Sequence, residues 1–231
     1  MVFSSPKTLS LIIPAFNEES NISNLLVQAL EVLPKHFTEY EIIVVDDGSH
    51  DRTSLIVQEW SHKNPAIKLI RHPVNLGVGA ALKDAILQAK FFWLFQAPGD
   101  HQFDLSEIEK FVSEIESADV IQGWRVNLMY PLHRKVVSWI YRSLLKALFG
   151  LNLKDPTWVK MFKKEVVNGM LVTTEGFFGE IEILIRAKRK GFRFIEVPVH
   201  TQKRLYGSSS ATSFYRVLKT FIELVRFRIN E

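Results

Sequence analysis

Cysteine is absent from this chain of 231 residues. Its absence excludes a disulfide framework, a thiolate metal site and a cysteine nucleophile. Long apolar runs are missing as well, since stretches such as Phe91–Phe95 fall far short of the roughly 20 residues that cross a bilayer. The segment Met1–Thr8 holds one lysine and no apolar stretch of signal-peptide length. We therefore expect no secretion signal, and we expect any membrane contact to be peripheral or through a partner.

The chain also has little excess charge of one sign. It carries 29 basic and 25 acidic residues, a formal net charge of +4, and its sequence pI is near 9.2. This slight excess favours anionic partners, and phosphates, acidic lipids and nucleic acid all remain open. With 47% hydrophobic residues the chain can bury a sizeable core, and its length fits one large domain.

Short apolar runs alternate with segments of helical period in the first half of the chain. We expect strands at Leu9–Ile13, Glu41–Val45, Ile67–Ile70 and Phe91–Phe95, and helices at Ile22–Leu33, Ser54–Ser61 and Val78–Ala89. This order is typical of an α/β fold with a mostly parallel sheet and helices on both faces. The second half is mixed: a helix from Glu107 to Ser117, a strand at Asp119–Gln122, helix Val136–Phe149, strand Trp158–Phe162, helix Gly179–Lys190, strand Phe194–Val199 and a terminal helix from about Thr212.

Polar segments follow four of the predicted strands. They are Pro14–Glu19, Asp46–Asp51, Asn75–Gly79 and Gln96–Gln102. Ligands of parallel sheets bind beyond the carboxyl ends of the strands. We therefore expect these four segments to converge on one crevice.

Two adjacent aspartates, Asp46 and Asp47, end the second predicted strand. A carboxylate there can accept hydrogen bonds from the base or ribose of a nucleotide. Neighbouring side chains of an extended segment point to opposite sides, so one of the two faces the crevice, and we expect it to be Asp47. Glu18 would supply further base or ribose contacts, although Pro14–Glu19 also suits an ordinary strand end and helix start.

The other two strand ends indicate a phosphate contact and a metal site. Gly77 and Gly79 open a helix and would let backbone N–H groups approach an anion, with close turn packing as the equal alternative. Asp100 and Gln102 offer oxygen ligands to a hard cation, which needs one or two carboxylates when a diphosphate supplies other ligands. We therefore expect Mg²⁺ or Mn²⁺ at Asp100 and Gln102.

Candidate phosphate-binding arginines occur in the second half. Arg125 follows a predicted strand, and Arg204 lies in a Gly/Ser-rich segment suited to closing over a diphosphate. Arg134 is a third candidate, whereas Arg142 suits an ordinary solvated charge. Because the basic residues are dispersed and no reader motif occurs, nucleic acid is not an expected partner.

These motifs together resemble the family-2 glycosyltransferases of the GT-A fold, especially the branch with dolichol-phosphate mannose synthase and bacterial polyprenyl-phosphate glycosyltransferases. The resemblance covers most of the chain and rests, in order, on LIIPAFNEE, IIVVDDGSHD, NLGVGAAL, GDHQFD, GWR, GEIEILIRAKRKGFRFIEVPV and RLYGSS. It implies one GT-A domain over residues 1–231, with a donor-binding half to about 123 and an acceptor side over 124–231. The implied partners are a GDP- or UDP-hexose, a lipid phosphate, the cytosolic surface of a membrane and, as in some relatives, a small membrane subunit.

The resemblance also implies roles for individual residues. The nucleoside would be held by Pro14, Phe16, Glu18 and Asp46 or Asp47, and the metal by the motif at Asp100. Near the reaction centre it implies an acidic pair, Glu180 and Glu182, and a closing arginine, Arg204. The chain departs from the family where Pro98 replaces the first aspartate of Asp-x-Asp, and where Ser208-Ser209 replaces the usual Ser-Lys.

The acceptor decides which side chains the reaction needs. A lipid phosphate is already an anion, so inverting transfer to it requires positioning and charge stabilisation by Arg125, Arg134 and Arg204 rather than a strong base. A cell-envelope saccharide would instead require Glu180 or Glu182 as a general base. A nucleotide-sugar-binding subunit without catalysis is the non-enzymatic alternative.

Two predicted helices have an apolar face beside basic residues. The first spans Lys135–Leu151 and places Val136, Val137, Ile140, Leu144, Leu148 and Leu151 on roughly one side. The terminal helix does the same with Phe214, Val217, Leu218, Phe221, Ile222 and Val225. Such faces ordinarily pack in a core, but with this resemblance they favour docking at a membrane interface.

Overall fold

The computed structural model describes residues 6–126, 132–170, 172–174, 176–202 and 214–229. The strands are β1 Thr8–Ala15, β2 Glu39–Asp46, β3 Ile67–Arg71, β4 Trp93–Gln96, β5 Val120–Arg125, β6 Lys160–Lys163 and β7 Phe194–Val199. The helices are α1 Ile22–His36, α2 Thr53–Lys63, α3 Val78–Gln88, α4 Glu109–Val112, α5 Leu132–Phe149, α6 Lys164–Val167, α7 Phe178–Arg189 and α8 Phe214–Ile229.

The strands form one sheet in the order β3-β2-β1-β4-β6-β5-β7. Strands β1 to β4 are parallel to their neighbours in the first half, and β5 is parallel to β7. Strand β6 runs antiparallel to both β4 and β5. The expected α/β fold with a mostly parallel sheet is therefore confirmed, with one reversed strand inserted between its two halves.

Both faces of the sheet are buried, as the near-continuous apolar strands predicted. Successive residues of β1 alternate between two cores, with Leu11 and Ile13 in one and Ile12 in the other. Helices α1 and α2 cover the first core, and α3, α7 and parts of α5 and α8 cover the second. Because β1 is parallel to both β2 and β4, the carboxyl ends of these three strands lie at the same end of the sheet.

The helix expected from Glu107 to Ser117 is much shorter. A 3-10 turn, Leu105–Ile108, leads into α4, which ends at Val112. Beyond it the chain tightens, with backbone hydrogen bonds three residues apart such as Glu114 to Phe111. The Ser113 hydroxyl donates to the carbonyl of Lys110 at 2.9 Å, and this side-chain competition with the helical backbone disfavours continuation.

Candidate active site

The loops after β1 and β2 hold each other in place. The Asn17 N–H donates to Ser49 Oγ at 2.9 Å, and the His50 N–H donates to Asn17 Oδ1 at 2.9 Å. Asn17 has a left-handed backbone with φ of 56°, a conformation that asparagine tolerates better than most residues. The two loops therefore form one braced unit at the strand ends, where the sequence predicted a crevice.

Asp46 is completely buried at the end of β2. Its Oδ1 accepts a hydrogen bond from the Ser49 N–H at 3.0 Å. Its Oδ2 is buried without a hydrogen-bond partner in the described part of the chain, and the Nε of Arg71 lies 4.0 Å away. A buried carboxylate oxygen left unpaired is costly, so this atom is an acceptor available to an N–H or O–H donor of a ligand.

Asp47 is committed within the protein instead. Its Oδ1 accepts from the Leu76 N–H at 2.9 Å and contacts His72 Nδ1 at 2.7 Å, and its Oδ2 accepts from the Gly77 N–H at 2.8 Å. His72 Nε2 in turn lies 3.1 Å from Asp84 Oδ2. Asp47 therefore anchors the loop before α3, and a ligand contact by Asp47 stays a prediction.

Gly77 is affected by the same contact. It has a φ of 100°, which favours glycine, and its N–H is already donated to Asp47. The structure thus supports turn packing at Gly77, since an anion at the start of α3 would compete with Asp47 for this N–H. A role for Gly77 in substrate binding stays a prediction.

Three further candidates line the loop after β1. Glu18 is buried, with its Oε2 accepting from Asn21 Nδ2 at 2.7 Å and its N–H donating to Thr53 Oγ1 at 2.8 Å. Phe16 is half-buried and meets His50 edge-on with ring centroids 6.2 Å apart. Pro14 packs against the turn at Gly99, where an added Cβ would lie 2.9 Å from the Pro14 carbonyl oxygen. Close packing at Gly99 therefore holds the Asp100 segment beside the end of β1.

The segment after β4 offers hard oxygen ligands. Asp100 Oδ1 accepts from the Gln102 N–H at 3.1 Å, which closes a small turn. Among the described residues no group of three His, Cys, Asp or Glu side chains could hold a metal ion. The carboxylate of Asp100 and the amide oxygen of Gln102 fit Mg²⁺ or Mn²⁺ in chemical type, provided a bound diphosphate completes the coordination.

The predicted phosphate-binding arginines are placed differently from one another. Arg125 forms a bidentate pair with Asp155, at 2.6 and 2.9 Å, and its guanidinium lies 4.4 Å from the centre of the Trp158 ring. Arg134 is half-buried near the start of α5, and Arg204 lies outside the described residues. A phosphate bound at Arg125 would share this arginine with Asp155. Asp155, which directly precedes Pro156, was not among the predicted site residues.

The two glutamates of α7 have different surroundings. Glu182 is fully buried and accepts from the N–H groups of Thr173 and Thr174 at 3.0 and 2.9 Å, and from Arg186 Nε at 2.9 Å. These contacts use the Glu182 carboxylate within the protein, and a catalytic role for Glu182 stays a prediction. Glu180 is also mostly buried, and its Oε2 accepts from Lys160 Nζ at 3.0 Å.

Helices α5 and α8 combine a buried and an exposed apolar side. Tyr141 packs edge-on against Phe221 and Phe149 packs against Phe227, with ring centroids 5.6 and 5.9 Å apart. Outside this contact, exposed apolar side chains remain: Leu132, Val136, Val137, Trp139, Ile140 and Leu148 of α5, and Ile222, Val225 and Ile229 of α8. We call these nine residues the apolar face. Leu151, expected on the same side, is buried, and the side chains of Phe214, Val217 and Leu218 are outside the described set.

No helix within the described ranges has both the length and the hydropathy needed to cross a bilayer.

Known proteins resemble the chain in sequence. It is 32% identical over 151 residues to the dodecaprenyl-phosphate galacturonate synthase of Rhizobium johnstonii. This match covers 64% of this chain and 45% of that protein. It is 28% identical over 214 residues to the dolichyl-phosphate beta-glucosyltransferase of Dictyostelium discoideum, covering 83% of this chain and 65% of that protein. The chain thus spans less than two thirds of the length of these two relatives.

A solved structure resembles the chain in fold. The glucosyl-3-phosphoglycerate synthase of Mycobacterium tuberculosis, crystallised with Mn²⁺, UDP and glucosyl-3-phosphoglycerate, matches with a TM-score of 0.72 and 18% identity. The match covers 95% of this chain and 79% of that chain. At this identity the likeness shows the fold alone, and it confirms the expected GT-A architecture.

A protein-family model matches more than half of the chain. The model described as glycosyl transferase family 2 matches residues 10–168 of the 231. That range contains the braced loops, the buried Asp46 and the Asp100 segment. The chain therefore belongs to glycosyl transferase family 2.

Proposed function

We propose that the chain moves a hexose from a nucleotide-sugar donor to the phosphate of a polyprenyl lipid, with inversion at the anomeric carbon. The main support for a nucleotide-sugar donor is the Oδ2 of Asp46, which is buried and has no hydrogen-bond partner among the described residues. Uracil and guanine both present a ring N–H that this oxygen can accept, so a UDP- or GDP-hexose suits the crevice. The names of the relatives, which act on dodecaprenyl and dolichyl phosphates, support the lipid acceptor.

The donor site is built from the braced loops and the segment after β4. Asp46 would accept from the base, and the half-buried ring of Phe16 would pack against the nucleoside beside Glu18 and Pro14. Asp100 and Gln102 would hold Mg²⁺ or Mn²⁺. A bound divalent ion would neutralise charge on the departing diphosphate.

The acceptor side favours a phosphate nucleophile. Glu182 accepts hydrogen bonds from backbone N–H groups and Arg186, and Glu180 is paired with Lys160. Neither carboxylate therefore has the surroundings of a strong general base. A phosphate oxygen needs none. It would form a bond to the anomeric carbon while the bond from that carbon to the diphosphate breaks, and the nucleoside diphosphate would leave. Arg134, Arg204 and Arg125, the last shared with Asp155, would stabilise the charge.

The apolar face would bring the crevice to the lipid. Exposed cations lie on the same helices: Lys135, Arg142 and Lys146 of α5, and Arg226 and Arg228 of α8. An apolar face flanked by basic residues suits a helix that lies in the interface of a bilayer with anionic lipids. The cytosolic side of the membrane is the proposed location, and a small membrane subunit is a proposed additional partner.

The test is transfer of radiolabelled sugar from GDP-mannose and from a panel of UDP-hexoses to polyprenyl phosphate, with and without Mg²⁺ or Mn²⁺. We expect one donor to label the organic-extractable lipid in a metal-dependent manner. Nucleotide binding with no labelled lipid from any donor would contradict the proposed function.

A further inference from the structure

Lys160, which begins β6, has a fully buried side chain. Its Nζ donates to Gln96 Oε1 at 3.0 Å and to Glu180 Oε2 at 3.0 Å. In the part of the chain that the structure describes, these two groups are its polar partners. Lysine is almost never fully buried unless it is paired. The question is therefore why a buried ion pair occurs at this position.

The partners of Lys160 belong to two elements of the crevice. Gln96 is the last residue of β4 and lies directly opposite Lys160 in the sheet, four positions before Asp100. Glu180 lies in the first turn of α7, where Gly179 packs so closely on Gly79 of α3 that an added Cβ would lie 2.6 Å from the Gly79 Cα. Lys160 therefore contacts β4, the strand that leads into the Asp100 segment. It also contacts the first turn of α7, where α7 packs against the start of α3.

A second lysine of the same strand shows what a pair outside the crevice looks like. Lys163 donates to Asp119 Oδ1 at 2.7 Å. Because β6 is antiparallel to β4, Lys160 lies beside the carboxyl end of β4 and Lys163 beside its start, at Trp93. The two lysines thus form ion pairs at opposite ends of one strand.

Stability alone gives little reason to keep a charge at Lys160, because apolar residues of similar volume often replace buried ion pairs without loss. Polar groups nevertheless continue around the pair. The hydroxyl of Tyr141 is buried without a hydrogen-bond partner among the described residues, and burial, together with the charges of Glu180 and Glu223, raises the pKa of Tyr141. A fixed carboxylate at Glu180 is thus the common feature of this cluster.

We propose that Lys160 is a positioning residue for the transfer reaction. It holds Glu180 and Gln96 so that the first turn of α7 and the Asp100 segment keep the geometry that transfer requires. The inference rests on the proposed function, because the reaction it serves is sugar transfer at this crevice.

The experiment compares K160M, E180Q, the double variant K160M/E180Q and the matched control K163M. Transfer is measured as kcat and KM for the donor, folding by circular dichroism, and local order by hydrogen exchange of residues 97–102 and 176–183. We expect K160M and E180Q each to lower kcat about 10- to 100-fold, the size of effect that a small misplacement produces, with donor KM changed less than about threefold. We expect the double variant to be no slower than the slower of the two single variants, and K163M to keep the wild-type kcat.

The outcomes separate positioning from a structural role. A folded K160M with wild-type kcat and unchanged exchange would overturn the inference. If K160M does not fold, the double variant decides, since it leaves no unpaired charge: a folded double variant with the wild-type kcat would overturn the inference. If wild-type protein transfers no sugar, the proposed function fails, and faster exchange at 97–102 and 176–183 in K160M but not in K163M still tests the positioning.

Discussion

Replacing Asp46 by asparagine should separate ligand binding from stability. The Oδ2 of Asp46 is buried and unpaired, whereas its Oδ1 accepts from the Ser49 N–H. The asparagine of D46N can keep the Ser49 contact through its amide oxygen, but it presents an NH₂ donor where the nucleobase would present its own N–H. A hydrogen bond to a charged group contributes about 1.5–3 kcal/mol, so we expect nucleotide affinity to fall about 10- to 150-fold.

The same substitution should leave the fold at least as stable. It removes a buried charge that lacks a hydrogen-bond partner at Oδ2 in the described structure. We therefore expect no decrease in the free energy of unfolding, and an increase where the charge is poorly compensated. Isothermal titration with UDP and GDP measures the affinity, and urea unfolding measures the stability.

Asp47→Asn is the matched control, because the neighbouring carboxylate is fully engaged. An amide NH₂ at either oxygen position would oppose the N–H of Leu76 or Gly77. A buried N–H left without an acceptor costs about 1–3 kcal/mol, so D47N should lose stability by that amount. The reasoning is refuted if D46N binds nucleotide as tightly as wild type, or if D46N loses as much stability as D47N.

Two further predictions concern stability and membrane contact. Burial would raise the pKa of Asp119, but hydrogen bonds from Arg193 and Lys163 lower it from 3.8 to about 2, so its contribution is fully present above pH ~4 and is lost as pH falls toward 2. D119N should therefore cost about 2 kcal/mol at pH 7 in urea unfolding, with the difference shrinking toward pH ~3, and a difference independent of pH would contradict this linkage. On the apolar face, W139S and I222S should each weaken co-sedimentation with anionic vesicles about 10-fold, since burying such a side chain contributes about 1.5–3 kcal/mol, whereas L87S, which alters an exposed leucine of α3, should bind vesicles as wild type does.

The sequence predicted the parts of the fold that depend on local pattern. Apolar runs located β1, β2 and β4 because strands buried on both faces need continuous hydrophobicity. The same runs could not reveal that β6 is antiparallel, since strand direction depends on pairing between distant segments. The length of the helix after Glu107 was overestimated because the prediction used the apolar spacing alone. It did not consider that the Ser113 hydroxyl competes for the backbone carbonyl of Lys110.

The candidate site was predicted at the level of segments rather than atoms. The doublet Asp46-Asp47 lies at the end of β2, but the sequence could not show that Asp47 is engaged by the N–H groups of Leu76 and Gly77, about thirty residues away. Glu182 matched a family position, yet its partners at Thr173 and Thr174 are set by tertiary packing. Lys160 was missed, although a lysine inside the apolar run WVKMF was a visible sign of a buried, paired charge.

The central claim is that a lipid phosphate oxygen attacks the donor sugar in this crevice. The most direct measurement incubates the protein with labelled donor and either polyprenyl phosphate or the matching polyprenol, in vesicles of the same composition, and counts label in the organic phase. The account predicts labelled lipid from the phosphate alone, with one nucleoside diphosphate released per sugar transferred. Equal labelling of the polyprenol, or label only in water-soluble saccharide, would contradict it.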